Sequence, residues 1–475
     1  MNKSHTQTIE EFFNTIANKR DKWKKKNSYY HNEIANLCKF LIIPQKKVLD
    51  IGCGTGDLLQ SVSSNFGVGI DISENMINIA KKKYPNLKFH RCDVQNITMI
   101  NDKFDYIILS DLIGNLEDIQ KALEELKKVS DEKTRIIITC YNYLWEPILI
   151  VGEKLGMKMP QVPQNWLSSK DIENFLYVSN FDVVKKSALL LFPKSLLIIS
   201  TIFNKYLARF PLLSNLCLVQ YFVVRQKPNN YSDKEYSVSV VIPSRNEEGN
   251  IEKAVLRTPK LGSSTELIFV EGHSKDNTLS EIKRVINKYK GKKDIKLIMQ
   301  NEGIGKGDAV RRGFAKAKGD IVMILDADLT VAPEELPKFY QVLRTGKAEY
   351  VQGTRLVYPM EKEAMRILNV IGNKFFSLIF SWLLGQSIRD TLCGTKALFR
   401  KDYEKIAKNR SYFGDFDPFG DFDLIFGASK LNLKIMEIPI RYKARAYGIS
   451  NISRFRHGWL LLKMTFFATR KLKFT

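Results

Sequence analysis

Gly319-Asp-Ile-Val-Met-Ile-Leu-Asp-Ala-Asp-Leu-Thr330 decides how the C-terminal half of the chain is read. Its apolar run, Ile321 to Leu325, predicts a buried strand that ends on two carboxylates, Asp326 and Asp328, one residue apart. Side chains alternate along a strand, so an Asp-x-Asp at its end sets both carboxylates on one side. The ends of parallel strands are where open α/β sheets bind ligands. Two such oxygens suit Mg2+ or Mn2+, hard cations that keep waters and draw further oxygens from a diphosphate. An isolated Asp-x-Asp is more often a polar turn closing a strand, so the neighbouring motifs have to decide.

Upstream, Ser237 to Ile242 predicts a strand running into Pro243-Ser-Arg-Asn-Glu-Glu248. A second strand enters the acidic loop of Glu266-Leu-Ile-Phe-Val-Glu-Gly-His-Ser-Lys-Asp-Asn-Thr278, and Gly303-Ile-Gly-Lys-Gly-Asp-Ala-Val-Arg-Arg-Gly313 leads into a helix. Together with the Asp-x-Asp, these pieces resemble a family 2 glycosyltransferase with the GT-A fold, from Ser237 to Thr475.

That resemblance implies a nucleotide-sugar donor and inverting transfer. Pro243, Arg245, Asn246 and Glu247 would form the first nucleotide-contact loop, and Glu271 and Asp276 would meet base and ribose. Gly272 stands where the family usually has a second Asp, which leaves the nucleotide preference open. Lys306 would lie before the helix beneath the diphosphate, and Asp326 and Asp328 would be the metal pair, with Asp328 counted as catalytic. In Gly414-Asp-Phe-Asp-Pro-Phe-Gly-Asp-Phe-Asp423, Asp421 matches the family's acceptor-side base; acids complementing a helix dipole are the alternative. Asp415 and Asp417 nearly repeat the same phrase, without an assignable role.

Ser387 to Lys396 and Arg441 to His457 resemble acceptor-side segments of polyprenol-phosphate sugar synthases. Arg355, Arg445 and Arg454 are the cations expected to meet a lipid-phosphate or glycan acceptor. From Lys434 onward the only acid is Glu437. Trp459 to Leu462, Met464, Phe466 and Phe467 add an apolar face among the cations, the pattern of an interfacial helix rather than a simple core one.

The N-terminal half starts from a different motif. Lys47-Val-Leu-Asp-Ile-Gly-Cys-Gly-Thr-Gly-Asp57 is a short strand entering a glycine-rich turn and a helix start, which lets backbone approach a ligand closely. A second strand ends in Asp71, about 20 residues on, where an acid is placed for ribose hydroxyls. Strands at Leu87 to His90, Phe104 to Ser110 and Arg135 to Cys140 alternate with helix-like text, which predicts a parallel, doubly wound sheet. Phe181 to Ser187 and Cys217 to Arg225 would be paired last strands.

These motifs resemble a class I S-adenosylmethionine-dependent methyltransferase with a Rossmann-like fold. By that resemblance Asp50, Gly52, Gly54, Gly56, Asp71 and Asp93 bind S-adenosyl-L-methionine; a dinucleotide site and a purely structural turn are the rivals. The acceptor side is less legible. Ser110-Asp-Leu-Ile113 lacks the prolines that base-modifying methyltransferases carry there, so no nucleic acid partner is expected. Asp111, Tyr141 and Asn142 sit at strand ends where a base belongs, though a structural role is the commoner one. Glu10 to Phe40 reads as helical, with Lys22 to Lys26 a solvated face, and Leu196, Ile199, Ile202, Phe203 and Tyr206 recur at helical spacing, which favours core packing over membrane contact.

At 475 residues the chain exceeds one ordinary core, and the expected division is 1–226, a linker at 227–236, and 237–475. The formal net charge of +23 selects for nucleic acid, an anionic membrane surface or phosphorylated substrates. Six scattered cysteines, an N-terminus without an apolar signal core, and no apolar run long enough to span a bilayer predict a cytoplasmic protein with peripheral contact at the inner face of the membrane. The combined expectation is a bifunctional enzyme, a methyltransferase acting on a small molecule or glycan and a metal-dependent glycosyltransferase. One alternative is an active glycosyltransferase behind a cofactor-binding but non-catalytic N-terminal module. A nucleic-acid methyltransferase is the weaker one.

Overall fold

The structure, a computed structural model, describes residues 4–62, 66–97, 99–228, 234–358, 367–410, 422–443, 445, 447 and 454–473. It divides into two compact units, Met1–Lys227 and Pro228–Lys473.

The N-terminal unit holds strands β1 (Val48–Ile51), β2 (Gly67–Asp71), β3 (Lys88–Arg91), β4 (Tyr106–Ser110), β5 (Arg135–Tyr141), β6 (Phe181–Leu189) and β7 (Val219–Gln226). Its helices are α1 (His5–Lys26), α2 (Ser28–Leu41), α3 (Asp57–Val62), α4 (Glu74–Lys83), α5 (Ile119–Val129), α6 (Glu146–Lys154), α7 (Ser169–Val178), α8 (Leu197–Thr201) and α9 (Pro211–Ser214). The sheet order is β3-β2-β1-β4-β5-β7-β6. The first five strands are parallel, and β7 runs antiparallel between β5 and β6. Central strands are covered on both faces, so they read as continuous apolar runs. Leu49, Ile107 and Ile136 pack on one face, and Val48, Ile108 and Ile137 on the other.

The C-terminal unit holds β8 (Val238–Ser244), β9 (Thr265–Glu271), β10 (Asp294–Met299), β11 (Ile321–Ile324), β12 (Tyr350–Thr354), β13 (Lys396–Phe399) and β14 (Ile435–Pro439). Its helices are α10 (Glu248–Arg257), α11 (Thr278–Lys288), α12 (Gly305–Lys316), α13 (Leu336–Arg344), α14 (Ile367–Leu384), α15 (Arg400–Lys408), α16 (Phe422–Lys430) and α17 (Arg454–Leu472). The order is β10-β9-β8-β11-β13-β12-β14, with β13 antiparallel to both its neighbours. The parallel block β10-β9-β8-β11 sends its carboxyl ends, and with them Asp326 and Asp328, to one edge.

Two readings are corrected. The residues at helical spacing from 196 to 206 are not core: Ile199, Ile202, Phe203 and Tyr206 are exposed, and among the described side chains of that helical stretch the buried ones are Ser200 and Asn204. Helical spacing identifies a face without saying which way it points. The run Lys22 to Lys26 is not simply solvated either, because Lys24 turns inward to the glycine-rich turn, where its ammonium meets Asp57 at 2.7 Å and the Thr55 hydroxyl at 3.1 Å. Asp415, Asp417 and Asp421 lie outside the described residues, as does the side chain of Arg454. Among the described residues no helix is long and apolar enough to cross a membrane, and all six cysteines are buried thiols.

Candidate functional site

In the N-terminal unit the carboxyl ends of β1, β2, β4 and β5 open into a cavity of about 540 Å³. Asp50, Gly52, Gly54, Asp71 and Asp93 line it, so five of the six residues expected to bind a cofactor meet in one space. Gly56 stands outside the lining: at φ +83° it passes under the Phe89 ring, where a Cβ would come within 2.8 Å, so it shapes the turn. The Asp71 carboxylate accepts from the amides of Gly54 and Ser73, both at 2.9 Å, tying the two loops together. Burial raises both the Asp71 carboxyl and that of Asp50, the latter to about 7. Oδ2 of Asp50 is buried without a hydrogen-bond partner among the described residues. An unpartnered buried acceptor is costly unless a ligand donor meets it, so this set fits a ligand with an ammonium group at one end and ribose hydroxyls at the other.

The part α1 plays was missed by motif reading: its Ile9, Phe13, Arg20, Trp23 and Lys24 line the cavity. Beside them Asn14, Ala17, Asp21 and Lys24, spaced three, four and three residues apart, fall on one face that fastens the helix to the loops. Asn14 accepts from the Ser73 hydroxyl at 2.8 Å; Asp21 accepts from Thr55 at 2.7 Å and pairs with Lys83 at 2.7 Å. Lys83 also reaches Asp57 at 2.6 Å, so α1, the glycine-rich turn and α4 share one charged network. That polar stripe was the available signal. His31, on α2, lines the cavity, and burial, then Arg20 and Lys24, depress its imidazole to about 3, so it is neutral.

At the β4 and β5 end, Asp111 and Tyr141 line the cavity and Asn142 does not. Asn142 instead donates to the carbonyls of Asn215 and Cys217. Asp111 accepts from the Tyr30 hydroxyl at 2.5 Å and from Thr139 at 3.1 Å. Burial raises the Asp111 carboxyl against those two hydrogen bonds. The Tyr30 and Tyr141 rings lie 5.9 Å apart and the Lys158 ammonium is 5.5 Å from the Tyr141 ring centroid, giving an aromatic wall around one carboxylate.

In the C-terminal unit β11 ends at Ile324, so Asp326 and Asp328 stand in the turn after the strand, where the Leu329 amide donates to the Asp326 carbonyl at 3.2 Å, and not on the strand as expected; both are partly buried and Ala327 between them is buried. Each carboxylate meets a cation of the chain. Lys306, in the first turn of α12, reaches Asp326 at 2.6 Å; Arg445 reaches Asp328 at 2.6 Å and Glu247 at 3.2 Å. Burial would raise the Asp326 carboxyl, but Lys306, with Lys396 and Arg355 beyond it, outweighs burial and lowers it. Burial raises Glu247 to about 7, against Asn250 and Arg445. A Cβ on Gly394 would stand 2.1 Å from the Asp326 carboxylate and 2.4 Å from the Lys306 ammonium, so a side chain there would displace that pair. Among the described residues no three acidic, histidine or cysteine side chains gather as a ready metal cage. A divalent cation here fits as one that takes Asp326 and Asp328 in place of the two side-chain cations and its other oxygens from the ligand.

The remaining expected residues divide by what holds them. Asn246, at φ +57°, donates its amide to Ser274 and accepts from the Lys275 amide at 2.7 Å, while Pro243 is the last residue but one of β8 and Arg245 is exposed. Glu271 accepts from the Ser274 amide at 2.6 Å, and Asp276 accepts from the Thr278 amide and hydroxyl at the start of α11. Gly272 has a steric cause: a Cβ there would stand 2.7 Å from the Gln300 side chain, which bonds to Asp308 and the Gly305 carbonyl. Arg355 is buried in a two-pronged pair with Asp390, at 2.7 and 2.8 Å, which Asn373 extends. Glu437 accepts from the amides of Arg389 and Asp390, so the tail's one acid braces the same segment.

Comparison with known proteins follows this division. Residues 43–177 match the family model described as Methyltransferase domain, and residues 239–407 match Glycosyl transferase family 2. A dolichol-phosphate mannosyltransferase of Pyrococcus furiosus is 28% identical over 250 residues, 50% of this chain and 67% of its own length. The low-salt glycan biosynthesis hexosyltransferase Agl6 of Haloferax volcanii is 27% identical over 229 residues, 48% of this chain and 52% of its own, so the chain spans about half of that relative. A demethylmenaquinone methyltransferase of Staphylococcus saprophyticus is 26% identical over 201 residues, 40% of this chain and 86% of its own. The chain therefore carries two transferase domains in one polypeptide, a methyltransferase domain in its N-terminal unit and a family 2 glycosyltransferase domain in its C-terminal unit.

Proposed function

We propose that the C-terminal unit transfers a sugar from a nucleotide-sugar to a polyprenyl-phosphate or glycan acceptor with inversion, and that the N-terminal unit methylates a small molecule or glycan using S-adenosyl-L-methionine. The observation that carries the first half is the pair Asp326 and Asp328, each already drawing a cation at the carboxyl edge of a parallel block. A divalent cation, Mg2+ or Mn2+, supplies neutralising charge to a leaving diphosphate. Lys306 and Arg445 stand beside that position, with Pro243, Arg245, Asn246, Glu247, Glu271 and Asp276 along the same edge for the nucleotide. Asp421 is the proposed base for a hydroxyl acceptor; a phosphate acceptor needs none. Arg355, Arg445 and Arg454 are the proposed acceptor-side cations. The exposed Trp459, Leu462 and Phe466 of α17, with Lys463 and Arg470 among them, support peripheral contact with a membrane from the cytoplasmic side.

In the N-terminal unit S-adenosyl-L-methionine supplies an electrophilic methyl group on a sulfonium. Asp50 is the proposed partner of its ammonium, Asp71 of its ribose, Asp93 of its adenine, and Gly52 and Gly54 give backbone approach. Asp111, held by Tyr30 and Thr139, is the proposed proton acceptor for an acceptor hydroxyl.

The test is sugar transfer by the purified chain with manganese or magnesium, a panel of nucleotide-sugars and short-chain polyprenyl phosphate, beside Asp328→Ala. Metal-dependent transfer to lipid phosphate that disappears in the variant supports the reading. Donor turnover without lipid transfer moves the acceptor to a hydroxyl, and no donor turnover in any combination overturns the glycosyltransferase reading.

A further inference from the structure

The helical stretch 197–206 is built inside out. Among its described side chains the buried ones are polar: Asn204 accepts from the Phe192 amide at 2.8 Å and donates to the Phe192 carbonyl and the Tyr29 hydroxyl, and Ser200 accepts from the Leu196 amide. Its outward face carries Ile198, Ile199, Ile202, Phe203 and Tyr206, with Ile198 74% exposed. A helix facing water shows the opposite order. The same surface continues through α9, where Leu212 is 85% exposed, to Leu216.

A second apolar segment adjoins it. The Trp145 indole donates to the Leu216 carbonyl at 2.8 Å, and Asn142 holds the carbonyls of Asn215 and Cys217, so residues 143–157 are fastened beside 196–216. In this second segment Ile148, Val151, Leu155 and Met157 line the cavity and are also exposed, so they form its rim. Contiguous exposed apolar surface of this kind marks an interaction site rather than ordinary surface.

The charges select the partner. Residues 191–218 carry Lys194, Lys205 and Arg209 and no acid. In 143–158, Glu146 and Glu153 face Lys154 and Lys158, and Glu153 is paired with Lys158. Lys158 and Lys194 both line the cavity. An apolar collar with cations at its margin complements a bilayer with anionic headgroups.

We propose that residues 143–157 and 196–216 of the N-terminal unit dock on an anionic lipid bilayer, with the cavity opening onto it, so that the methyl acceptor is a group carried by a bilayer lipid. The acceptor clause rests on the methyltransferase reading given above; the docking surface does not. Acceptor groups at headgroup depth would then reach Asp111 past the apolar rim without crossing water.

The full chain is mixed with vesicles of phosphatidylcholine alone or with phosphatidylglycerol, and hydrogen exchange is followed by peptide. Slowed exchange at 143–157 and 196–216, stronger with the anionic vesicles, is expected. The double variant Ile198→Glu and Leu212→Glu, both at exposed positions, should lower vesicle binding about tenfold or more while S-adenosyl-L-methionine binding by calorimetry and the melting temperature stay put. Phe466→Glu on α17 should leave the protection at 143–157 and 196–216 intact. Four results overturn the docking surface: no protection of those segments, equal protection on neutral vesicles, protection lost only with Phe466→Glu, or a self-association without lipid that the double variant abolishes. Vesicle binding with no S-adenosyl-L-methionine binding keeps the surface and overturns the methyl-donor reading instead. Methylation of a water-soluble acceptor at equal rates with and without vesicles overturns the acceptor clause.

Discussion

The carboxylates of the N-terminal cavity and those of the C-terminal edge stand at the same place in their sheets but meet opposite surroundings. Asp50 is buried and Asp71 partly buried in a cavity that α1 and α2 help to line, where burial raises both carboxyls and one oxygen of Asp50 has no partner among the described residues. Asp326 and Asp328, with side chains 27% and 13% exposed, are paired with Lys306 and Arg445. The first arrangement leaves a deficit that a ligand's donors fill. In the second, the divalent cation proposed above would have to exchange with side chains already there, which would couple its binding to the movement of two residues.

The sharpest way to break this contrast is Asp328→Ala. Sugar transfer should fall by about a thousandfold, the scale of losing electrostatic stabilisation of a leaving group, while S-adenosyl-L-methionine binding is unchanged by calorimetry. Next comes Asp111→Asn, which should lower methyl transfer about a hundredfold by removing a proton acceptor and leave the methyl donor's dissociation constant alone. An equal loss of donor affinity would make Asp111 part of the cofactor's binding site. Arg445→Ala sharpens the exchange argument. With the guanidinium gone, manganese titrated in the absence of donor should bind several-fold more tightly, about 1 kcal/mol for a partly exposed ion pair removed; weaker binding would assign Arg445 to holding ligand phosphate.

The last expected effect is one of pH and is read in stability, not in activity. A carboxyl raised to about 7 in the folded chain binds its proton more tightly there than when unfolded, where it titrates near the usual 3.8. The stability Asp50 contributes is therefore fully present below the unfolded value and is lost as pH rises through about 7. Thermal melting between pH 5 and 8 should show a decline for the native chain that Asp50→Asn flattens, with about 2–4 °C for each kcal/mol in a unit of this size. Added S-adenosyl-L-methionine should reduce the same decline.

The parts of each site that could be read in the sequence are those whose signal is local. Val48 to Asp57 and Ile321 to Asp328 announce themselves because apolar run, turn glycines and terminal acids are adjacent in the chain. The partners are not. Lys306 lies 20 residues from Asp326 and Arg445 lies 117 from Asp328, and no periodicity links them. Tyr30 finds Asp111 across 81 residues. Helix α1 carried a readable stripe, Asn14 to Lys24, but a polar stripe looks the same whether it faces water or a buried turn. The reversed stretch at 197–206 is that ambiguity in its other sense: spacing located the face, and only Ser200 and Asn204 disclose its direction.

The position of β7 also governs how the N-terminal unit comes into being. Its neighbours β5 and β6 pair only through it, and Leu218, one residue before it, closes part of the cavity wall. During synthesis the sheet is therefore incomplete until residues 219–226 have left the ribosome, near the very end of the unit. Until then β5 and β6 present unpaired edges, the kind of surface that chaperones recognise. A nascent chain halted before Val219 would have its glycine turn and all its acids but no finished pocket, so ligand-dependent protection against protease should appear abruptly with the last strand rather than build up along the chain.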